Sequence, residues 1–163
     1  MKELIIMNTE IEILITTIRD EIVKGKERIE QRIENEKTVT YWNIGKHIHT
    51  HLLKHQDRAE YGDSLFALLS SELNIGASTL YRTVLFYETY PNILAARPNL
   101  TWSHYKILIT IRDVEKRKEF EKRVIDEKLS TRELHDIIRE YRKDKGYKKG
   151  KHLKETRGIL NTY

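Results

Sequence analysis

The sequence predicts an all-α protein whose helix-turn-helix core is braced by long N-terminal helices. Two observations carry this prediction. The chain of 163 residues has only 7 Gly and 2 Pro, while charged residues make up 34% of it. Apolar residues also recur at spacings of three and four along most of its length, which is the period of one helix face. This length is enough for one domain with its own core.

The composition also bounds where the protein works and what it binds. The chain contains no cysteine, so disulfides and thiolate metal sites are excluded. No apolar run is long enough for a membrane span, and the apolar start is too short for a signal peptide. We therefore expect a cytoplasmic protein with no membrane partner. The net charge of +5 permits a nucleic-acid partner without requiring one.

Residues 1–56 are predicted to form an N-terminal helical pair. An isoleucine stripe follows a helix start at Asn8-Thr9-Glu10 and lies close to a heptad pattern. It consists of Ile11, Ile15, Ile18, Ile22 and Ile29. We favour packing of this stripe on the chain's own core. The alternative is an intermolecular seam, which would make the protein a homodimer, as a two-fold DNA reader requires.

Residues 57–142 are predicted to form the helix-turn-helix core, with the motif itself at residues 69–84. Leu69 and Leu73 share a face of its first helix. Asn74 stands at the turn, because Asn tolerates the left-handed conformation. Gly76 is the expected N-cap of a second helix running from about Ala77 to Tyr90, and Leu80 should point into the core.

The following helices are marked by local signals. Pro91 should stop the second helix of the motif. Thr101 or Ser103 can cap the next helix, and Asp113 starts the one after it. Ser130 with Glu133 three residues on forms a capping pattern for the last helix.

Residues 143–163 read as a basic C-terminal arm or linker, since lysines are concentrated there. Two of these lysines, Lys148 and Lys149, are candidates for phosphate contact. Residues 57–63 form a polar break at the start of the core, and Asp63 or Ser64 can cap the helix that follows.

The predicted DNA contacts lie at the start of the second helix of the motif, because a recognition helix meets base edges with its N-terminal residues. Arg82 can read guanine with two hydrogen bonds or hold a phosphate. This helix has a single Arg and no Lys before Glu88, so affinity needs cations from elsewhere. The predicted DNA-binding residues are Ala77, Ser78, Thr79, Tyr81, Arg82, Thr83, Lys106, Arg132, Lys148 and Lys149.

The helix-turn-helix stretch resembles those of bacterial resolvases and partition proteins. Four further motifs resemble the YhcG-type N-terminal domain, in the right order and at the right separations. They are residues 41–48 (YWNIGKHI), 61–62 (YG), 86–91 (FYETYP) and 100–105 (LTWSHY). This resemblance implies a DNA-binding domain of the kind that precedes a PD-(D/E)XK-type nuclease domain. A second resemblance, to the DNA-binding region of ParB-like partition proteins, rests on the helix-turn-helix, residues 100–104 and residues 124–134.

Two side-chain clusters suggest chemistry but fit an ordinary reading better. His47, His51 and His55 share one helix face at spacings suited to zinc, yet the adjacent Glu of metalloprotease helices is absent. Asp126-Glu127-Lys128 has the wrong spacing for a nuclease site and reads as a surface turn. We therefore expect no catalytic residues, no metal site and no cofactor in this chain.

The function predicted from the sequence is DNA binding by a helix-turn-helix domain, with duplex DNA as partner and a homo-oligomer as the assembly. Such a domain would target a nuclease-associated or partition-like protein of a bacterium or mobile element. The alternative is a helical oligomerisation or protein-interaction module that does not bind DNA.

Overall fold

Helix-forming residues fill long stretches of the chain, and side-chain caps rather than Gly or Pro mark several of the breaks between them. A computed structural model of the protein describes residues 2–54, 61–92 and 100–144. Within these ranges it has six helices and no strand, so the all-α prediction is confirmed. The helices are α1 (Lys2–Leu53), α2 (Tyr61–Leu73), α3 (Ala77–Thr89), α4 (Trp102–Leu108), α5 (Val114–Asp126) and α6 (Thr131–Asp144). No helix in these ranges is both long and apolar enough to cross a membrane.

The N-terminal segment forms one helix of 52 residues rather than the predicted pair. Gly25 lies inside it without ending it, because a single Gly costs a helix interior only about 1 kcal/mol. α2 begins at Tyr61, so Asp63 and Ser64, either of which was the predicted cap, lie inside the helix. Residues 57–60 of the predicted polar break lie outside the described residues, and residues 61–63 belong to α2.

The core consists of two clusters that share α3. The first joins Leu80 and Val84 of α3 to Ile48 of α1 and Phe66 of α2. The second joins Phe86 of α3 to buried side chains of the C-terminal half of the chain. The latter are Leu100, Trp102, Tyr105, Leu108, Ile109, Ile111, Phe120, Val124, Leu134 and Ile138. α3 is therefore the central helix of the fold.

The C-terminal half of α1 lies against α3 at very short range. Thr38, Gly45 and Ile48 are buried in this half. A Cβ at Gly45 would overlap the carbonyl oxygen of Thr83 and lie 2.5 Å from its carbonyl carbon. The two helix backbones can approach this closely only because Gly45 has no side chain.

The isoleucine stripe of α1 does not pack on the core of the chain. Its five residues are 42–60% exposed, and no residue from 11 to 37 is buried. The prediction that the stripe packs on the chain's own core is therefore wrong. A heptad spacing is the same whether the stripe packs on its own chain or on a second copy. The spacing alone could therefore not distinguish packing on the chain's own core from an intermolecular seam.

The capping predictions for α4 to α6 are confirmed by hydrogen bonds. Asp113 accepts from the backbone N–H groups of Glu115 and Lys116, both at 3.0 Å. The Ser130 hydroxyl accepts from Glu133 N–H, whose carboxylate accepts in turn from Ser130 N–H. Thr101 caps α4, with His104 in the position that Glu or Gln usually holds.

His104 links two parts of the second core cluster in its neutral form. Its Nδ1 accepts from Thr101 N–H at 3.2 Å, and its Nε2–H donates to the carbonyl of Leu129 at 3.1 Å. Burial lowers the pKa of His104 from its ordinary value of 6.5, partly opposed by the bond to Leu129. Protonation of Nδ1 would also remove the acceptor for Thr101 N–H.

We expect the substitution His104→Gln to reduce the acid sensitivity of the fold. His104 takes up a proton near pH 6.5 in the unfolded chain but only at a lower pH in the folded state. Its contribution to the free energy of unfolding is therefore complete above pH 6.5 and is lost as the pH falls below that value. Gln preserves the capping pattern but does not titrate. Urea unfolding at about pH 7.5 and about pH 5 should show a smaller loss of stability for His104→Gln than for the native chain. Equal losses in the two chains would remove His104 from the acid response.

Candidate nucleic-acid interface

The sequence around Asn74 folds as the helix-turn-helix that it predicts. Asn74 has φ 53°, in the left-handed region, and ends α2. Gly76 then serves as the N-cap of α3, with φ −54° and ψ 135°. Gly76 has no side chain that could accept the first N–H groups of α3, and no side-chain cap is formed there. These N–H groups are therefore suited to an anionic partner.

The inward face of α3 is fixed by the first core cluster. Leu80 and Val84 are fully buried against α1 and α2, as predicted for Leu80. Tyr81 stacks on Phe66 with ring centroids 3.7 Å apart, so it is partly buried between α3 and α2. Its ring serves the packing of the motif, whatever its hydroxyl contacts.

The first turns of α3 carry its most exposed residue and most of the predicted contacts. Ser78 is exposed, and Ala77, Thr79 and Arg82 are partly exposed. Within Ala77–Thr89, Ser78 alone is exposed, and the other residues are partly or fully buried where α1, α2 and α4 pack against the helix. The structure thus brings four of the predicted contacts together at one end of α3.

Thr83 must be removed from the predicted contacts. Its side chain has 0% exposure, and its hydroxyl donates to the Leu80 carbonyl at 2.6 Å. It lies beneath α1 at the point where Gly45 approaches the α3 backbone. The burial of Thr83 has no local signature in the sequence, because it depends on a close approach between residues 38 positions apart.

The remaining predicted cations lie on other helices. Lys106 is on α4, which packs against α3, and its Nζ sits 6.0 Å from the centroid of the Trp102 ring. Arg132 is exposed in the first turn of α6, which packs against α4. Lys148 and Lys149 lie outside the described residues.

The three predicted cations on described residues share the property of having no ion pair. Within the described ranges, Arg82, Lys106 and Arg132 form no ion pair, so their charges are available to an outside anion. Other basic residues are paired on their own helices, among them Arg123 with Glu127 at 2.7 Å and Arg139 with Asp136 at 3.0 Å. Arg142 donates to the Thr110 hydroxyl.

The one carboxylate on α3 lies away from this end of the helix. Glu88 is in the last turn of α3. Its Oε1 lies 3.1 Å from Nδ1 of His49 in α1, at hydrogen-bond distance. Burial raises the pKa of Glu88, and the charge and hydrogen bond of His49 lower it. Its charge is therefore engaged with α1 rather than with the start of α3.

Three of the four motifs behind the YhcG-type resemblance, residues 41–48, 86–91 and 100–105, contact one another where α1, α3 and α4 meet. Tyr41 stacks on Trp102 with centroids 4.7 Å apart, and Trp42 Nε1–H donates to the Tyr90 carbonyl at 2.7 Å. The ring centroid of Phe86 lies 5.3 Å from that of Trp102. Gly45 belongs to the same motif as Tyr41 and Trp42. These motifs therefore hold α1, α3 and α4 together.

The histidine cluster is only partly described. His47 and His51 are exposed on α1, and His55 lies outside the described residues. No group of three or more His, Asp or Glu residues in the described part of the chain is arranged to hold a metal ion. Asp126 and Glu127 end α5 at a turn in which Lys128 has φ 52°, as expected for a surface turn.

Comparison with known proteins gives one match. The family model described as the DUF1016 N-terminal domain matches residues 17–143. No curated protein and no solved structure matches the chain. The matched range covers α1 from residue 17 onward, all of α2 to α5, and α6 except its last residue.

Proposed function

The chain belongs to the DUF1016 N-terminal domain family, the N-terminal domain of YhcG-like proteins. From this premise we propose that it binds duplex DNA through α2 and α3, without catalysis, as the targeting part of a nuclease-associated protein. The family match confirms the YhcG-type resemblance and associates the chain with nuclease-type proteins. The ParB-like layout, a partition role and the DNA contacts themselves remain predictions.

The observation that carries the proposal is the accessible first part of α3 after the Asn74 turn. Ser78, Thr79 and Arg82 lie on the side of this helix that the core leaves uncovered. In a helix-turn-helix, these are the positions that meet base edges and phosphates. Arg82 has no carboxylate partner among the described residues, as a DNA-contacting arginine requires.

The proposed contacts divide into two kinds. Arg82 reads a base edge, with guanine as the favoured partner for two parallel hydrogen bonds, while Ser78 and Thr79 donate to phosphate or base. Lys106 and Arg132 contact phosphates and supply affinity independent of sequence. Because the proposed base contacts all lie in the first turns of α3, sequence reading should be confined to a few base pairs.

The substitution Arg82→Ala tests the proposal. It should weaken binding to a preferred duplex by about 1–3 kcal/mol, or roughly 5- to 150-fold in dissociation constant. The control is Arg123→Ala, since Arg123 is held by Glu127 through two hydrogen bonds and should not meet DNA. Preferred duplexes would first be selected from random sequence with the native protein.

The outcome is read only for folded variants, judged by circular dichroism and the unfolding midpoint. Loss of binding by Arg82→Ala together with unchanged binding by Arg123→Ala supports the proposal. Equal affinity of the two variants and the native chain would remove Arg82 and the start of α3 from the interface.

A second candidate function is a helical interaction module, and one observation favours it. The isoleucine stripe of α1 is exposed along its whole described length. A stable oligomer that is indifferent to DNA would favour this reading. Salt-dependent binding to duplex DNA would favour the first.

A further inference from the structure

The exposed isoleucines of α1 form a continuous seam with a definite heptad register. We call the five residues of the isoleucine stripe, Ile11, Ile15, Ile18, Ile22 and Ile29, the isoleucine seam. Ile15, Ile22 and Ile29 are seven residues apart and occupy position a, while Ile11, Ile18 and Gly25 occupy position d. These positions cover about three heptads, roughly 30 Å of helix. Exposed apolar stripes of this extent are uncommon on monomeric proteins.

This part of α1 has no support from the rest of the described chain. The first buried residue of the helix beyond the seam is Thr38, where α1 joins the core. A long solvated helix is only marginally stable in water, and β-branched isoleucine lowers its propensity further. We therefore expect the part of α1 that precedes Thr38 to need a partner helix packed along the isoleucine seam.

We propose that the partner is a second copy of the chain, which pairs with the first through the isoleucine seam as a parallel, in-register, two-stranded coiled coil. β-Branched residues at position a are favourable in this arrangement. The seam ends at Arg32 and Glu36, which occupy the next d and a positions, before α1 reaches its own core. Self-association and folding thus use separate parts of one helix.

The flanking charges select the parallel orientation. In a parallel pair, Glu21 at position g faces Lys26 at position e of the second copy, and the reverse, giving two attractive contacts. In an antiparallel pair with the same isoleucine layers, Glu12 would face Lys26, but Arg19 would face Arg19 and Glu21 would face Glu21, so attraction and repulsion would offset each other. The existing pair between Glu21 and Arg28, at 2.8 Å within one helix, is exposed and contributes little.

Sedimentation of the full chain tests self-association. The native protein should be a dimer at tens of micromolar without DNA. Ile22→Lys, in the seam, should weaken the dimer at least about 100-fold, because it places a charge in a central layer. The matched control is Ile13→Lys, since Ile13 is equally exposed but lies at position f, off the seam. The proposal would be overturned by a native protein that is a monomer or a trimer. It would also be overturned by an Ile22→Lys variant that dimerises as tightly as the native protein.

Cross-linking tests the orientation, and the absence of cysteine from the chain makes it direct. Gly25→Cys places one thiol at position d of each copy, where the two sulfurs meet only in a parallel, in-register pair. Under mild oxidation this variant should form a covalent dimer, while Ile13→Cys should not. A native dimer in which Gly25→Cys does not cross-link would rule out the parallel register.

Discussion

Replacing Gly45 by alanine should lower the free energy of unfolding by about 3 kcal/mol or more. The added methyl group would overlap the carbonyl oxygen of Thr83 and lie 3.1 Å from the nitrogen of Val84. Both obstacles are backbone atoms of α3, so no change of rotamer can relieve the overlap. α1 and α3 would have to separate, and the contacts of Ile48 with Leu80 and Val84 would loosen. Urea unfolding should show a lower midpoint with an unchanged slope.

Gly25→Ala is the matched control for this prediction. A Cβ at Gly25 would meet only the end of the Arg28 side chain, at 3.7 Å. Alanine is favoured over glycine inside a helix by about 1 kcal/mol, so this variant should be as stable as the native chain or more so. If Gly45→Ala unfolds at the same midpoint as Gly25→Ala, α1 and α3 do not approach as described.

Phe86→Ala should cost about 3–5 kcal/mol of stability. Phe86 is fully buried, and its ring lies 4.6 Å from Tyr105 and 5.8 Å from Tyr90, measured between centroids. It is the α3 side chain that enters the larger core cluster, so its loss leaves a cavity between α3 and α4. Thermal or urea unfolding measures the cost.

Leu68→Ala serves as the control for the cavity. Leu68 is 58% exposed on α2, so its truncation should change stability by no more than about 0.5 kcal/mol. A cost for Phe86→Ala close to that of Leu68→Ala would mean that the aromatic cluster does not join α3 to α4.

The features that the sequence predicted well are set by neighbouring residues. The left-handed turn at Asn74 and the caps at Asp113 and Ser130 each depend on one side chain and the backbone within three residues of it. Such local chemistry is the same in any fold that contains these helices. The core position of Leu80 likewise followed from its place in the helix-turn-helix pattern.

The features that the sequence missed depend on contacts between distant residues. The burial of Thr83 results from the approach of Gly45, and the burial of Glu121 accompanies the hydrogen bond that it accepts from Tyr90 at 2.6 Å. Neither pairing has a local signature. The exposure of the isoleucine seam was missed for a different reason, since its spacing fits both an internal and an intermolecular partner.

The candidate interface was therefore predicted in part. Ser78, Thr79 and Arg82 follow from the motif, and the structure places them together on an accessible surface. Lys106 and Arg132 were chosen from the sequence for charge alone. Their lack of ion pairs within the described residues could be seen only in the folded chain.

The proposed function is tested most directly by titrating the native protein with its preferred duplex at about 50 mM and about 200 mM salt. If Arg82, Lys106 and Arg132 each neutralise one phosphate, the affinity should fall by roughly 40-fold between these concentrations, and by more if the basic arm contributes. A folded protein that shows no binding at either salt concentration, or an affinity that salt does not change, would contradict the account.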